Sequence, residues 1–220
     1  MFFKDHSNVY HAAGLASFAW LEHGFGTRDS ADWPDPWRLV MLKQTHSDDV
    51  HKIEGGRGYA GEGDALVTDR PGVLIGVRTA DCVPILMVDA EHLAVAAVHA
   101  GWRGTSANIV RKAIARMSAE YGSDPAQLHA GIGPAIGECC YEVGPEVIAK
   151  VREWVPGVAA RGKAHINLPE VNRLQLLAAG VPAQNIDFGA PCTKCGPAEL
   201  HSYRRDGAKA GRMIAAIGIL

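Results

Sequence analysis

The chain has 220 residues, with 22 Lys and Arg against 24 Asp and Glu, for a formal net charge of −2. It lacks the basic excess of a nucleic-acid binder, and no run of five like charges occurs. Its most apolar stretches, Val83 to Val88 and Leu93 to Val98, are six residues each, against about 20 for a bilayer span, so neither nucleic acid nor membrane is an expected partner. The N-terminus lacks the basic, apolar and small-residue order of an export signal. Five cysteines, two of them adjacent at Cys139 and Cys140, do not form a secreted disulfide framework. A reduced, cytoplasmic protein is the expectation. With no repeat, linker or low-complexity tract, residues 1–220 read as one domain.

Taken in chain order, Leu39 to Leu42, Asp64 to Thr68 and Gly72 to Val77 read as strands. Pro84 to Asp89 and Leu93 to His99 are apolar throughout, as expected of strands covered on both faces. Pro84 lacks an N–H and is expected to prevent central pairing there, leaving Cys82 at a break. From Thr105 the period changes. Ile109, Val110, Ala113, Ile114, Met117 and Tyr121 fall on one helical face, closed by Gly122. Glu146 to Val155 predicts a second helix, and Asn167 to Ala179 a third, with Asn167 or its neighbour as cap, Pro early and Gly180 as terminator. Strands are predicted again at Leu128 to Ile132, Ile186 to Phe188 and Met213 to Ile219. The interleaving predicts a three-layer α/β/α sandwich with a mixed sheet.

Chemistry concentrates in three segments. Lys43-Gln-Thr-His46 follows a strand, Thr79-Ala-Asp-Cys82 lies between two strands, and His99-Ala-Gly-Trp-Arg-Gly104 ends one, with glycines that allow a tight turn into the next helix. Sites in open α/β sheets lie outside strand ends, and two His with one Cys are ligand types that zinc prefers. His46, Cys82 and His99 are therefore a candidate three-ligand metal site. Such a site keeps one position open, and water held there loses a proton near pH 7. Copper would also be accepted, because affinity generally favours Cu²⁺ over Zn²⁺. Each residue has a plainer reading, Cys82 as a packed core Cys, His99 as a satisfied core His and His46 as a surface residue; the triplet carries the argument. Asp81 is the carboxylate beside the triplet that could move a proton. Trp102 is a candidate pocket wall. Cys192-Thr-Lys-Cys195 resembles half of a zinc knuckle, but no second C-x-x-C exists and adjacent Cys139 and Cys140 are poorly spaced to chelate, so no structural zinc is expected there. Gly131 to Gly137 is glycine-rich but matches no phosphate-binding fingerprint.

The motifs Lys43-Gln-Thr-His46, Asp64-Ala-Leu-Val-Thr68, Thr79-Ala-Asp-Cys-Val-Pro84, His99-Ala-Gly-Trp-Arg-Gly104, Gly131-Ile-Gly-Pro134 with Cys140-Tyr-Glu-Val-Gly144, and Ser202-Tyr-Arg-Arg205 together resemble the YfiH family of laccase-domain proteins. The resemblance runs from about Phe25 to the C-terminus. It implies an α/β/α sandwich related to the cytotoxic necrotizing factor deamidases, with a metal held at the positions of His46, Cys82 and His99. It also implies phosphorolysis of adenosine, inosine and methylthioadenosine, with deamination of adenosine. The partners it implies are a purine nucleoside and phosphate. One bacterial branch instead edits peptidoglycan precursors carrying a misplaced serine, which would make Cys82 a nucleophile with His99 as base. A non-enzymatic metal-binding protein is a third possibility. Polyphenol oxidation fits least, because none of the ten His forms the H-x-H pairs of a multicopper cluster. For phosphorolysis, Arg28, Arg103 and Arg204 are candidate phosphate ligands, with Gln44 as a further substrate-binding candidate. The family's Gly-Gly-Val-Ser and Asn-Leu-Gly elements are missing here, and only fourteen residues separate Arg28 from Lys43. A change in the substrate pocket is expected from that loss.

Overall fold

A computed structural model describes residues 1–30, 32–158 and 162–220. Strands β1 (Phe2–Lys4), β2 (Tyr10–Ala12), β3 (Leu21–Phe25), β15 (Met213–Ile219), β8 (Leu74–Thr79), β4 (Leu39–Lys43) and β6 (Gly58–Glu62) form one mixed sheet in that order. A second mixed sheet runs β14 (Ile186–Asp187), β11 (Leu128–Ile132), β9 (Val83–Asp89), β10 (Ala94–Ala100), β7 (Ala65–Thr68) and β5 (Val50–Lys52). A short ribbon pairs β12 (Glu142–Val143) with β13 (Ala164–His165). The helices are α1 (Trp102–Ser106), α2 (Ile109–Tyr121), α3 (Pro145–Val151), α4 (Leu168–Ala178) and α5 (Tyr203–Asp206).

Side-chain alternation decides the layering. On β9, Val83, Ile85 and Met87 pack with Ile109, Ala113 and Met117 of α2 and with Ile148 and Leu176. The intervening Leu86 and Val88 pack instead with Phe25, Ile75, Val77 and Ala215 of the first sheet. The mixed α/β architecture therefore has its layers in the order helices, sheet, sheet. The first sheet covers the face where the sequence reading places a second helix layer, because its own strands carry apolar residues toward β9 and β10. On the outer face of the first sheet, Leu39, Leu74 and Ala216 are buried among Trp33, Met41 and Ile214.

Two local differences from the sequence expectations have physical causes. The helix expected from Thr105 is divided, because Asn108 takes a left-handed conformation (φ 59°) between α1 and α2. Pro84 does not break the sheet: it is the second residue of β9, opposite His99 of β10. Its carbonyl accepts the N–H of Gly133 at 2.9 Å, just beyond the last residue of β11. The missing N–H points to the same side, where the neighbouring strand has ended, so little pairing is lost.

Candidate metal centre

The ends of three strands bring the site together. His46 lies on the connection from β4 to β5 and Cys82 on the connection from β8 to β9, both of which pass from the first sheet to the second. His99 is the penultimate residue of β10. One ligand atom from each of His46, Cys82 and His99 lies within 4.8 Å of the others, and the two imidazoles meet edge to face with centroids 5.0 Å apart. His99 is 3% exposed, whereas His46 opens to solvent.

Asp64 organises this cluster. Its carboxylate is fully buried and accepts from the backbone N–H of Thr45 (3.2 Å), His46 (3.1 Å) and Ser47 (2.6 Å), and from the Ser47 hydroxyl (2.8 Å). Six donors converge once the Thr45 hydroxyl, at 3.5 Å, and His99 Nδ1, at 2.7 Å from Asp64, are included, which offsets the cost of burying a charge. The carboxylate thereby holds His46 in a left-handed backbone (φ 60°) and fixes the His99 ring with Nε2 directed away from the Asp64 bond. Burial alone would raise the Asp64 pKa, but His99 and Ser47 bring it down to about 2. Burial likewise lowers the basicity of His99, and its bonds to Asp64 and Cys82 overcome this, lifting it to about 9. Burial pushes the Cys82 thiol up, yet His46 and His99 outweigh it and carry the group down to about 6. The thiolate form is therefore favoured near neutral pH.

This donor set fits a metal ion. A soft thiolate and two imidazoles converge, and a carboxylate orients one of the rings from behind. Gly101 adds a second observation: a Cβ there would lie 3.1 Å from His46 Cδ2 and 3.2 Å from Cys82 Sγ. A side chain at this position would crowd the cluster.

The cluster opens into a cavity of about 1170 Å³ lined by the triplet, Gln44, Asp81, Trp102, Tyr59, Tyr141, Tyr203, Arg78, Arg204 and Arg212 among others. Of the expected substrate-binding residues, Gln44 and Arg204 line it. Gln44 is engaged by the backbone of Arg78, donating to its carbonyl (2.9 Å) and accepting from its N–H (2.8 Å), so its side chain continues the pairing beyond the end of β4. Asp81, at φ 92°, accepts from Thr193 Oγ1 and from the backbone N–H of Arg204, both at 2.6 Å. Arg28 and Arg103 do not line this cavity. Arg103 stacks over Trp102 at 4.4 Å in an adjoining recess of about 320 Å³ that shares His46. Arg28 donates to the Leu200 carbonyl at 3.3 Å, in a separate recess of about 620 Å³ with Arg205 and Asp206. The cavity lining includes none of the described residues 29–41. Sequence reasoning gave Asp64 no role of its own and passed over Arg212 and Tyr141. A carboxylate directly before the apolar run Ala65 to Val67, on a strand buried throughout, was the available signal for Asp64.

A second cluster is unexpected from the sequence. One sulfur each from Cys139, Cys140, Cys192 and Cys195 comes within 4.8 Å of the others, because the turn after β11 docks on the segment leading to α5.

A family model described as "Multi-copper polyphenol oxidoreductase laccase" matches residues 28–220. A purine nucleoside phosphorylase of Bacteroides thetaiotaomicron is 44% identical over 163 residues, which are 71% of this chain and 60% of that protein. A protein named adenosine deaminase RL5, from an unknown prokaryotic organism, is 41% identical over 81% of this chain and 74% of its own length. Among solved structures, YlmD of Geobacillus stearothermophilus superposes with a TM-score of 0.88 at 30% identity, covering 99% of this chain and 98% of that one. YfiH of Bacillus licheniformis gives 0.89 at 29% identity, covering 100% and 99%.

Proposed function

The chain belongs to the laccase-like YfiH family, and on that premise we propose that it is a metal-dependent purine nucleoside phosphorylase that also deaminates adenosine. The observation that carries this reading is the His46, Cys82 and His99 cluster opening into a cavity with both aromatic walls and guanidinium groups. Relatives named for these two activities support it. The cavity, about 1170 Å³, exceeds the roughly 300–1000 Å³ usual for one small molecule, leaving room for a nucleoside and a phosphate.

His46, Cys82 and His99 would hold the metal, zinc or copper, which when bound supplies a Lewis-acid centre to the cavity. Trp102, Tyr141 and Tyr203 give the cavity aromatic walls against which a purine can pack. Arg204 stands over the Tyr141 ring at 5.2 Å and Arg212 over Tyr203 at 5.9 Å. These two guanidinium groups hold phosphate, the role that sequence reasoning shared among Arg28, Arg103 and Arg204. In phosphorolysis a phosphate oxygen bonds to C1′ of the ribose as the bond to the purine nitrogen breaks, and the leaving base takes a proton. In deamination water adds at the amino-bearing carbon and ammonia leaves with a second proton. Asp81 serves as the carboxylate that moves these protons; its bonds to Thr193 and Arg204 fix its direction while leaving lone pairs for a reactant.

A specific observation favours a second reading. Cys82, His99 and Asp64 also satisfy the order of nucleophile, base and orienting acid, which suits an amidase acting on a peptide-like cell-wall precursor. Incubation with adenosine, with and without phosphate, distinguishes the two. The proposed function predicts phosphate-dependent release of adenine with ribose 1-phosphate, and inosine formation, both lost in Cys82→Ala. Intact adenosine in the presence of stoichiometric metal would refute it and leave the amidase reading.

A further inference from the structure

We propose that Cys139, Cys140, Cys192 and Cys195 bind one zinc ion as a tetrathiolate, forming a second and structural metal site separate from the cavity cluster. One sulfur from each lies within 4.8 Å of the other three. A tetrahedral ion with zinc–sulfur bonds of about 2.3 Å needs sulfurs about 3.8 Å apart. The Cys139 and Cys195 sulfurs are 3.4 Å apart, well beyond the roughly 2.05 Å of a disulfide, and all five cysteines of the chain are free thiols. Tetrahedral sulfur sets are the preference of zinc among redox-silent metals.

The backbone around the cluster is built as a knuckle. Gly196 N–H closes the Cys192-to-Cys195 turn on the Cys192 carbonyl at 2.8 Å. A Cβ at Gly196 would come within 2.2 Å of that carbonyl oxygen, so the turn needs glycine there. The N–H of Gly137 donates to Cys192 Sγ at 3.2 Å, and the N–H groups of Lys194 and Cys195 face the same sulfur. Such donors stabilise a thiolate that carries metal. The opposite loop turns tightly as well, with Cys140 and Tyr141 N–H groups both on the Gly137 carbonyl at 3.0 Å. A bridge between Ala135 and Cys192 and a Thr193 N–H bond to the Ala135 carbonyl at 3.0 Å lock the two loops together. Adjacent cysteines can thus chelate here because the chain reverses at Gly137.

Metal binding is balanced by proton release: Zn²⁺ takes four thiolates, four protons leave, and the site carries a charge of −2. Lys194, between the two ligands of the knuckle, and Arg205, which donates to the Thr193 carbonyl at 3.0 Å, bring positive charge nearby. The ion would fasten one wall of the cavity. Thr193 holds the Asp81 carboxylate, Ile136 N–H donates to the Asp81 carbonyl at 2.9 Å, and Ile136, Tyr141 and Arg204 all line the cavity.

The test is the zinc content of protein purified with excess zinc under reducing conditions, measured by plasma mass spectrometry alongside intact mass. Wild type is expected to carry two zinc ions per chain and Cys82→Ala one. Cys82→Ala combined with Cys139→Ser and Cys195→Ser is expected to carry none. Cobalt loaded into Cys82→Ala should give the intense thiolate-to-cobalt absorption and visible bands of a tetrahedral tetrathiolate, a readout that stands even if the triple variant does not fold. A Cys82→Ala protein free of zinc, one holding iron instead, or one lighter by two or four hydrogens through disulfide formation would each overturn the proposal.

Discussion

Gly101→Ala is the sharpest perturbation of the cavity cluster. Gly101 has φ −72° and ψ 172°, a backbone open to any residue, so alanine brings no conformational penalty. The new Cβ would stand 3.1 Å from His46 Cδ2 and 3.2 Å from Cys82 Sγ, a few tenths of an ångström inside ordinary contact. His46, exposed and on a loop, is the side that must yield. Metal–ligand distances tolerate only about 0.2 Å, and inserting one methyl into a packed site costs about 1–3 kcal/mol. At 1.36 kcal/mol per tenfold, metal affinity should fall about 5- to 150-fold. The unfolding free energy of the metal-free protein should stay within about 0.5 kcal/mol of wild type. Competition against a chromogenic chelator measures the first quantity and denaturant titration the second. Unchanged affinity in a folded variant would refute the claim that His46 and Cys82 ligate one ion.

Further outcomes follow from the same geometry. Asp64→Asn keeps the shape but places an amide among converging donors, and it should weaken metal binding about 10- to 100-fold, read by the same competition assay. Arg212→Ala should raise the phosphate KM of phosphorolysis about 10- to 100-fold, the cost of a lost charge-assisted bond, while deamination, which uses no phosphate, changes far less. His23 is buried and its Nε2 accepts the Ala12 N–H at 3.2 Å. Burial, with His11 nearby, lowers its pKa to about 4, below the ordinary 6.5. The unfolded chain therefore takes up the proton first, and the contribution is full above pH 6.5 and is lost as pH falls toward 4. Its loss between pH 7 and 5 is about 2 kcal/mol, and His23→Gln should flatten the unfolding free energy by that amount; an unchanged pH slope would contradict the assignment.

How far the sequence carried these conclusions depended on the range of the interactions. Leu128–Ile132 and Met213–Ile219 are strands whose apolar runs bound themselves, and their limits were legible residue by residue. The cap of α4 was legible to within one residue, and Asn167 fills it by accepting the Glu170 N–H at 3.0 Å. Strand ends carrying His46, Cys82 and His99 were legible because the ligand types stood beside apolar runs. The division of the strands between two sheets was not, since both faces of β9 and β10 are apolar and composition does not say whether helix or sheet covers them. The Arg28 and Arg103 placements depended on which way a loop turns, and the four-cysteine cluster on two loops 50 residues apart meeting, neither of which is a local property. Pro84 misled because a proline costs a strand only where a neighbour needs its N–H.

The central claim is that purine chemistry here depends on the ion held by His46, Cys82 and His99. The most direct measurement strips the protein of metal with a chelator, adds zinc back stepwise, and follows adenosine turnover at each occupancy. The account predicts no turnover at zero metal and recovery only as this site fills, with Cys82→Ala, which keeps the four-cysteine site, inactive throughout. Full turnover with metal below detection would contradict it and make Cys82 the nucleophile.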